Sequence, residues 1–165
     1  MEITYLYHSG FCVELSHNVL LFDYYQGELP HWPEDKHIWV LVSHRHRDHF
    51  QHRIFQLADH YPHITFLLSK DTKMTPSYMD RIGVPLSARE HIQYLSKNTS
   101  CLEGEELFIE TLASTDEGVA FVVNCEGKSI YHAGDLNWWT WPGEETKQEY
   151  EDMTKRFHKE MEKLR

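Results

Sequence analysis

The apolar residues in the first half of the chain fall into short runs with the spacing of β-strands. The runs "ITYLYH", "FCVELS" and "VLLFDY" are separated by the turn-forming pairs "SG" and "HN". We therefore predict a β-meander of three strands. The later runs "IWVLVS" and "ITFLLS" are apolar without alternation, which is typical of strands that are covered on both faces.

Helical spacing appears in three places. The segment "TPSYMDRIG" predicts a short helix that ends at Gly83. Two longer segments carry apolar residues at helical spacing: Phe50, Ile54, Leu57, Ala58 and Tyr61 in one, and, at steps of three and four, Tyr150, Met153, Phe157, Met161 and Leu164 in the other. We expect the apolar stripe of the C-terminal helix, from about residue 144 to 165, to pack on the core; docking to a partner or a membrane surface is the alternative.

Four further runs predict consecutive strands and hence a second β-meander. They are "HIQYLS", "ELFIETLA", "GVAFVVNC" and "SIYHAGD", and the turns "KNTS", "EGEE", "STDEG" and "EGK" punctuate them. Strands and helices together place the chain in the α/β (α+β) class. Its 165 residues suffice for one domain, 1–165, with a core of its own.

Composition narrows the partners and the compartment. The formal net charge of -10 would repel a nucleic-acid backbone, and the apolar runs are far shorter than the roughly 18 residues of a spanning helix. The three cysteines, an odd number without paired spacing, favour buried, reduced thiols in the cytoplasm. We expect a small-molecule substrate, no nucleic acid and no membrane, and leave open a homo-oligomer.

The stretch "SHRHRDHF" carries the chemistry, because four potential metal ligands follow a buried strand within six positions. In an extended segment His44, His46 and Asp48 would project to one side, with His49 turning inward. Without a cation, packed imidazoles destabilise one another; with one, imidazole nitrogens and carboxylates are good ligands. Asp135 in "YHAGD" also ends a strand. The alternative is a set of solvated loop histidines beside an N-capping Asp48.

Together these residues resemble the metallo-β-lactamase fold superfamily of metal-dependent hydrolases. The resemblance is carried by "HSGF", by "LFDYY", by the H-x-H-x-D-H block at residues 44–49 and by "AGD". It implies a four-layer αββα sandwich and one or two divalent ions, zinc with manganese as the alternative. His44 and His46 would bind the first ion, Asp48 and His49 the second, and Asp135 would bridge them. "HSGF" and "HAGDLN" look most similar to the subgroup that includes ascorbate-6-phosphate lactonase.

The sequence also departs from this pattern. The family offers another histidine in a glycine-containing turn, where this chain has "LASTDEGVAF"; Asp116 is a hard metal ligand there, unless it only fixes the turn. The late family histidine is missing too, since His158 lies on a charged helix. The second half of the sandwich looks short, so we expect a fragment, a truncated product or a degenerate member. His8 would line the pocket or cap a turn, and His132 is predicted to be structural, facing away from Asp135.

The sequence thus predicts a metal-dependent hydrolase. A bound water acidified to about pH 7 would attack a polarised carbonyl or phosphoryl group of a small ester, lactone or phosphodiester. Asp48 would be a metal ligand and the proton acceptor, with His8 and Asp116 as candidate pocket residues. The alternative, motivated by the incomplete ligand set, is a scaffold that binds metal or ligand without turnover.

Overall fold

The computed structural model describes residues 1–103 and 107–164. Ten strands and three α-helices occupy these ranges. The strands are β1 Glu2–Tyr7, β2 Gly10–Glu14, β3 Asn18–Phe22, β4 His37–Val42, β5 Ile64–Ser69, β6 Ile92–Leu95, β7 Ser100–Glu103, β8 Leu107–Ala113, β9 Val119–Cys125 and β10 Lys128–His132. The turn predicted at "EGEE" falls mostly on residues 104–106, which lie outside the described residues.

The first sheet contains six strands in the order β1-β2-β3-β4-β5-β6. Its first three strands are antiparallel neighbours, so the predicted N-terminal meander is confirmed. From β3 onward the neighbours are parallel. Because Phe22 is level with Leu41 in the pairing of β3 with β4, the residues that follow these two strands meet at one edge of the sheet.

The second sheet contains four antiparallel strands in the order β10-β9-β8-β7. A second meander is therefore present, but the prediction of its first strand was wrong. The run "HIQYLS" forms β6, which pairs with β5 in the first sheet, and the meander starts instead at β7, beyond the predicted turn "KNTS". The short strand "SCLE" alternates half-buried and exposed residues, and its pairing with β8 gives it its place.

The two sheets pack face to face, and helices cover both outer faces. Along β3, Leu20 and Phe22 point between the sheets, where they meet Phe121 and Val123 of β9. Val19 and Leu21 point the other way, into the core beneath the helical middle of the chain. A third, smaller cluster joins the second sheet to the C-terminal helix. These four layers are the predicted αββα sandwich.

The helices are α1 Pro76–Arg81, α2 Leu86–Arg89 and α3 Lys147–Met161. Thr146 caps α3 in a reciprocal capping box with Glu149, and Phe157 and Met161 pack on the second sheet, so the expectation of core packing is confirmed. The helix predicted after Phe50 forms as a 3-10 helix, His52–Asp59, whose apolar side still faces the core. None of the helices in the described ranges combines the length and apolar character needed to cross a bilayer.

The cysteines differ in burial. Cys12 and Cys125 are buried, whereas Cys101 on β7 is only half-buried. Burial raises the pKa of the Cys12 thiol to about 12, with the nearby Glu14 charge acting in the same direction. The expectation of buried thiols therefore holds for two of the three residues.

Candidate metal centre

The four ligand-type residues of the H-x-H-x-D-H block at 44–49, here called the signature residues, lie in the loop that follows β4, where the chain enters a tight turn. This loop is called the signature loop below. The backbone N–H groups of His49 and Phe50 both donate to the carbonyl of His46, at 3.0 and 2.8 Å. Because the segment is turned, the predicted alternation of His44, His46 and Asp48 on one side does not hold. Instead, the turn divides the four signature residues between two clusters.

The first cluster contains His44, His46 and Asp135, whose ligand atoms all lie within 4.8 Å of one another. His44 Nε2 is 3.0 Å from His46 Nδ1 and 3.4 Å from Asp135 Oδ2. The His44 side chain is fully buried, whereas that of His46 is 44% exposed. The cluster therefore has a closed inner wall and an open outer one.

The second cluster contains His8, Asp48 and His49, again with ligand atoms within 4.8 Å of one another. His8 has a positive φ of 53° in the turn between β1 and β2, and its Nε2 lies 3.0 Å from Asp48 Oδ2. The His8 ring contacts the His49 ring edge-on at 5.3 Å between centroids. The tight β1–β2 turn thus brings His8 to residues that are forty positions away in the sequence.

Asp135 stands between the two clusters. Its Oδ2 lies 3.4 Å from His44 Nε2, and its Oδ1 lies 3.4 Å from His49 Nε2. Gly134 permits this approach, because it has a φ of +50° and a Cβ there would lie 2.7 Å from the Ser43 side chain. One carboxylate oxygen is thus directed to each cluster, and bridging of two ions by this residue stays a prediction.

Asp23 lies beneath the two clusters and makes hydrogen bonds to side chains that position the clustered histidines. Its carboxylate is fully buried at the end of β3 and accepts hydrogen bonds from Ser43 N and Ser43 Oγ, each at 2.7 Å. Its Oδ2 also lies 2.9 Å from His49 Nδ1 and 2.7 Å from His132 Nε2. The Ser43 hydroxyl in turn contacts His44 Nδ1 at 2.9 Å. A single carboxylate therefore orients one histidine of each cluster.

The electrostatics of these buried groups are set by burial and by their partners. Burial alone would raise the pKa of the Asp23 carboxyl, but the charges and hydrogen bonds of His132 and His49 hold that pKa below its usual range. For His49, burial acts to lower the pKa, and the hydrogen bond and charge of Asp23 outweigh it and raise the pKa. Burial and the neighbouring His49 charge lower the pKa of His44. Neutral His44 has the lone pair that a metal ligand needs.

The donor set fits divalent metal ions. Each cluster offers imidazole nitrogen and carboxylate oxygen, which bind zinc-like ions at about 2.0–2.2 Å. Two ligands of one ion then lie roughly 3 Å apart, comparable to the 3.0 and 3.4 Å separations around His44. The outer nitrogens of His44 and His49 are occupied by Ser43 and Asp23, the arrangement found behind metal-binding histidines. His44, His46 and Asp135 could hold one ion, and His8, Asp48 and His49 a second.

The other residues named from the sequence lie elsewhere. Asp116 is exposed in the turn before β9 and belongs to neither cluster of the described residues; its backbone N–H donates to Ser114 Oγ at 3.1 Å. The adjacent Glu117 approaches the site instead, with Oε2 3.6 Å from His46 Nε2. His158 is exposed on α3, as expected. His132 is buried, with its Nε2 against the Asp23 carboxylate and its ring stacked on Phe22. These are structural contacts, and they lie directly beneath the clusters.

Sequence reasoning missed Asp23, Ser43 and Glu117. Asp23 and Ser43 each follow a strand of the first sheet, and the parallel pairing of β3 with β4 places the ends of those strands side by side. The sequence signal that could have found Asp23 was its place in "LFDYY", whereas the pairing that brings Ser43 beside it is set only in the folded sheet. For Glu117 the only signal was a second acid beside Asp116 in the turn "STDEG".

Comparison with known proteins agrees with this geometry. The sequence-family model described as the Beta-lactamase superfamily domain matches residues 2–149. The chain belongs to the beta-lactamase superfamily. A UPF0173 metal-dependent hydrolase of Opitutus terrae is 31% identical over 155 residues, a match that covers 82% of this chain and 63% of the relative. This member of the superfamily therefore spans less than two thirds of the length of that metal-dependent hydrolase.

Solved structures share the fold. A metal-dependent hydrolase from Parabacteroides distasonis superposes with a TM-score of 0.54 at 15% identity, covering 83% of this chain and 61% of that one. CmlA, a diiron beta-hydroxylase from Streptomyces venezuelae, superposes with a TM-score of 0.56 at 14% identity, covering 84% of this chain and 30% of that one. At such identities the likeness supports the metallo-β-lactamase fold alone. The closer resemblance to the lactonase subgroup stays a prediction.

Proposed function

We propose that this superfamily member is a metal-dependent hydrolase of a small ester, lactone or phosphodiester. His44, His46 and Asp135 would hold one divalent ion, and His8, Asp48 and His49 a second, with Asp135 between them. Zinc is the expected ion and manganese the alternative. When bound, such ions activate water and stabilise the negative charge that develops on a carbonyl or phosphoryl oxygen.

The observation that carries the proposal is the number and kind of donors in each cluster. Each offers three side chains, mixed from imidazole and carboxylate. Structural zinc sites are closed by four protein ligands, whereas catalytic ones keep three and leave a position for water or substrate. The two clusters therefore match the donor count of a catalytic centre.

Asp48 is the residue best placed to move a proton. Its side chain is 50% exposed, so it is at the solvent side of the second cluster, and its Oδ2 lies 3.0 Å from His8 Nε2. A proton taken up by Asp48 Oδ2 can therefore be shared with His8 Nε2 along a short hydrogen bond. We assign proton acceptance to Asp48 in this proposal, in addition to its place in the donor set.

An adjacent groove suits a small organic substrate. It has a volume of about 400 Å³, begins at His8 and Gly134, and continues over apolar side chains that include Phe11, Phe22 and Ile130. Ligand pockets typically enclose about 300–1,000 Å³ and are mainly apolar with few polar groups. An ester or lactone with an apolar body could thus lie in the groove with its polar end at the clusters.

The test is hydrolysis by the metal-loaded protein. Protein loaded with zinc or manganese is assayed against aryl esters, lactones and phosphodiesters, beside an Asp48→Ala variant and an Asp35→Asn control at an exposed turn before β4. We expect at least a hundredfold loss of kcat/KM for Asp48→Ala, because general acid–base groups contribute about 10²–10⁴-fold. Absence of turnover across the panel, or an Asp48→Ala variant as active as the control, would refute the proposal.

The alternative, a protein that binds metal or ligand without turnover, is favoured by one observation. The turn "LASTDEGVAF" brings no histidine to the first cluster. This alternative predicts a metal content near zero after dialysis, measured by elemental analysis, with an intact fold after chelation and no hydrolysis of any substrate in the panel. Two tightly bound metal equivalents would count against it.

A further inference from the structure

Two of the clustered histidines share a pattern of inner and outer partners. His44 directs Nε2 to Asp135 and Nδ1 to the Ser43 hydroxyl, at 3.4 and 2.9 Å. His49 likewise directs Nε2 to Asp135 and Nδ1 to the Asp23 carboxylate, at 3.4 and 2.9 Å. In each ring, a polar group on the outer nitrogen fixes which nitrogen carries the proton.

His46 has the same pattern with its two nitrogens exchanged. Its Nδ1 is the inner atom, 3.0 Å from His44 Nε2. Its other ring nitrogen, Nε2, lies 3.6 Å from Glu117 Oε2. That distance is an ion-pair contact and slightly too long for a hydrogen bond, so a small movement of an exposed ring closes it. Glu117 is thus the carboxylate behind His46, as Asp23 is the carboxylate behind His49.

The fold fixes where Glu117 stands. The next residue, Gly118, has a φ of +68°, and a Cβ there would lie 1.9 Å from the carbonyl oxygen of Ser43. The N–H of Val119 donates to that same carbonyl at 2.9 Å. The turn before β9 is therefore pressed against the start of the signature loop, and Glu117 has little freedom to leave His46.

Arg45 holds the Glu117 side chain itself. Its Nε and Nη2 donate to the two carboxylate oxygens, each at 2.7 Å, in a bidentate pair. Such forked pairs fix the plane of a carboxylate as well as its position. Because Arg45 lies between His44 and His46 in the sequence, the same loop provides His46 and the arginine that fixes Glu117 beside it.

We propose that Glu117 is a positioning residue for His46, held in place by Arg45. It keeps the proton of His46 on Nε2 and so leaves the Nδ1 lone pair directed into the first cluster. This inference rests on the proposed metal centre. In this inference the turn "LASTDEGVAF" provides no metal ligand, and its Glu117 instead orients the ligand His46.

The test measures zinc affinity with a competing chromogenic chelator, in the full chain. Glu117→Ala should weaken one zinc equivalent by about tenfold and leave the other unchanged, the lower end of the usual 10–100-fold effect because Glu117 is partly exposed. Glu117→Gln should fall between, since its amide oxygen still accepts from Nε2–H. Arg45→Ala should weaken the same equivalent by a smaller factor. Asp116→Asn, which removes a neighbouring charge in the same turn, should bind zinc like the wild type.

A spectroscopic measurement separates positioning from simple folding defects. Long-range ¹H–¹⁵N correlation spectra of the zinc-loaded wild type should show His46 protonated at Nε2 and metal-bound at Nδ1. Equal zinc affinity of the wild type and Glu117→Ala, a loss in Asp116→Asn instead, or zinc on His46 Nε2 would each overturn the inference while leaving the metal centre in place. A wild type that binds no zinc would overturn both.

Discussion

The sharpest prediction concerns Asp23, the buried carboxylate beneath both clusters. Asp23→Asn preserves the shape of the side chain but replaces one acceptor oxygen with a donor NH₂ group. In the wild type Oδ2 faces Ser43 Oγ, His49 Nδ1 and His132 Nε2, at 2.7, 2.9 and 2.7 Å, while Oδ1 faces Ser43 N at 2.7 Å. Either orientation of the amide therefore places its NH₂ group against donors.

The magnitude follows from those contacts. Hydrogen bonds to a charged group contribute about 1.5–3 kcal/mol each, and the Ser43 hydroxyl and the imidazoles can recover part of the loss by rotating or changing tautomer. We expect the free energy of unfolding to fall by about 3 kcal/mol. If His49 adapts, its proton moves to Nε2, the nitrogen that faces Asp135, so zinc affinity should also fall by about 10–100-fold.

Two assays check this prediction. Urea unfolding of the chelator-treated protein gives the stability change, and chelator competition gives the affinity, with Asp35→Asn as the exposed control. Because the folded pKa of Asp23 is depressed, its contribution is complete above its unfolded pKa of about 3.9 and is lost as the pH falls through the folded value. The stability gap between wild type and variant should therefore narrow below about pH 4. A gap under about 0.5 kcal/mol at pH 7 with unchanged zinc affinity would refute the role given to Asp23.

Three further predictions test other parts of the fold. Burial would raise the pKa of Glu126, but hydrogen bonds from His17 N and neighbouring groups outweigh it and lower that pKa to about 2. The stability advantage of wild type over Glu126→Gln, measured by urea unfolding, should therefore shrink as the pH falls from about 4.5 toward 2. A stability difference that is constant with pH would contradict this. Gly118→Ala should destabilise the protein by about 3 kcal/mol, because the new Cβ would meet the Ser43 carbonyl. Gly127 has a similar φ of +69° but nothing within 4 Å of an added Cβ, so Gly127→Ala should cost only about 1 kcal/mol. Equal melting temperatures of the two variants would show that the contact with Ser43 is unimportant. A thiol reagent at pH 8 should label half-buried Cys101 first and buried Cys12 only on unfolding, as peptide mapping would show; comparable labelling rates would argue against the burial of Cys12.

Local patterns were sufficient where the chain's own neighbours decide the structure. The three N-terminal strands are joined by short turns, so each pairs with the next in sequence, and their meander could be predicted. The unalternating runs of β4 and β5 indicated burial on both faces, and both strands are central in the first sheet. The stretch after Phe50 shows the limit, because apolar spacing identified the face toward the core but not the 3-10 geometry.

Pairing between distant segments was not visible in these patterns. The run that forms β6 has the same local character as a strand of the second sheet, and only its partner β5 decides which sheet it joins. Likewise, nothing in the sequence around Glu117 distinguishes it from other acids in turns, and "LFDYY" carried the resemblance without a role for Asp23. Their roles depend on Gly118 and on the parallel pairing of β3 with β4, which bring these carboxylates to the signature loop.

The sequence by itself determined the chemistry of the candidate ligands, since the block at 44–49 and Asp135 provide imidazoles and carboxylates at the ends of buried strands. The tertiary structure decided how they are divided: the turn at His46 separates Asp48 from His44, the β1–β2 turn supplies His8, and Asp135 stands between the clusters. The physical reason is that ligand type is a property of each side chain, whereas a metal site is a set of distances. Those distances, a few ångströms between residues up to about a hundred positions apart, are set only when the sheets pack.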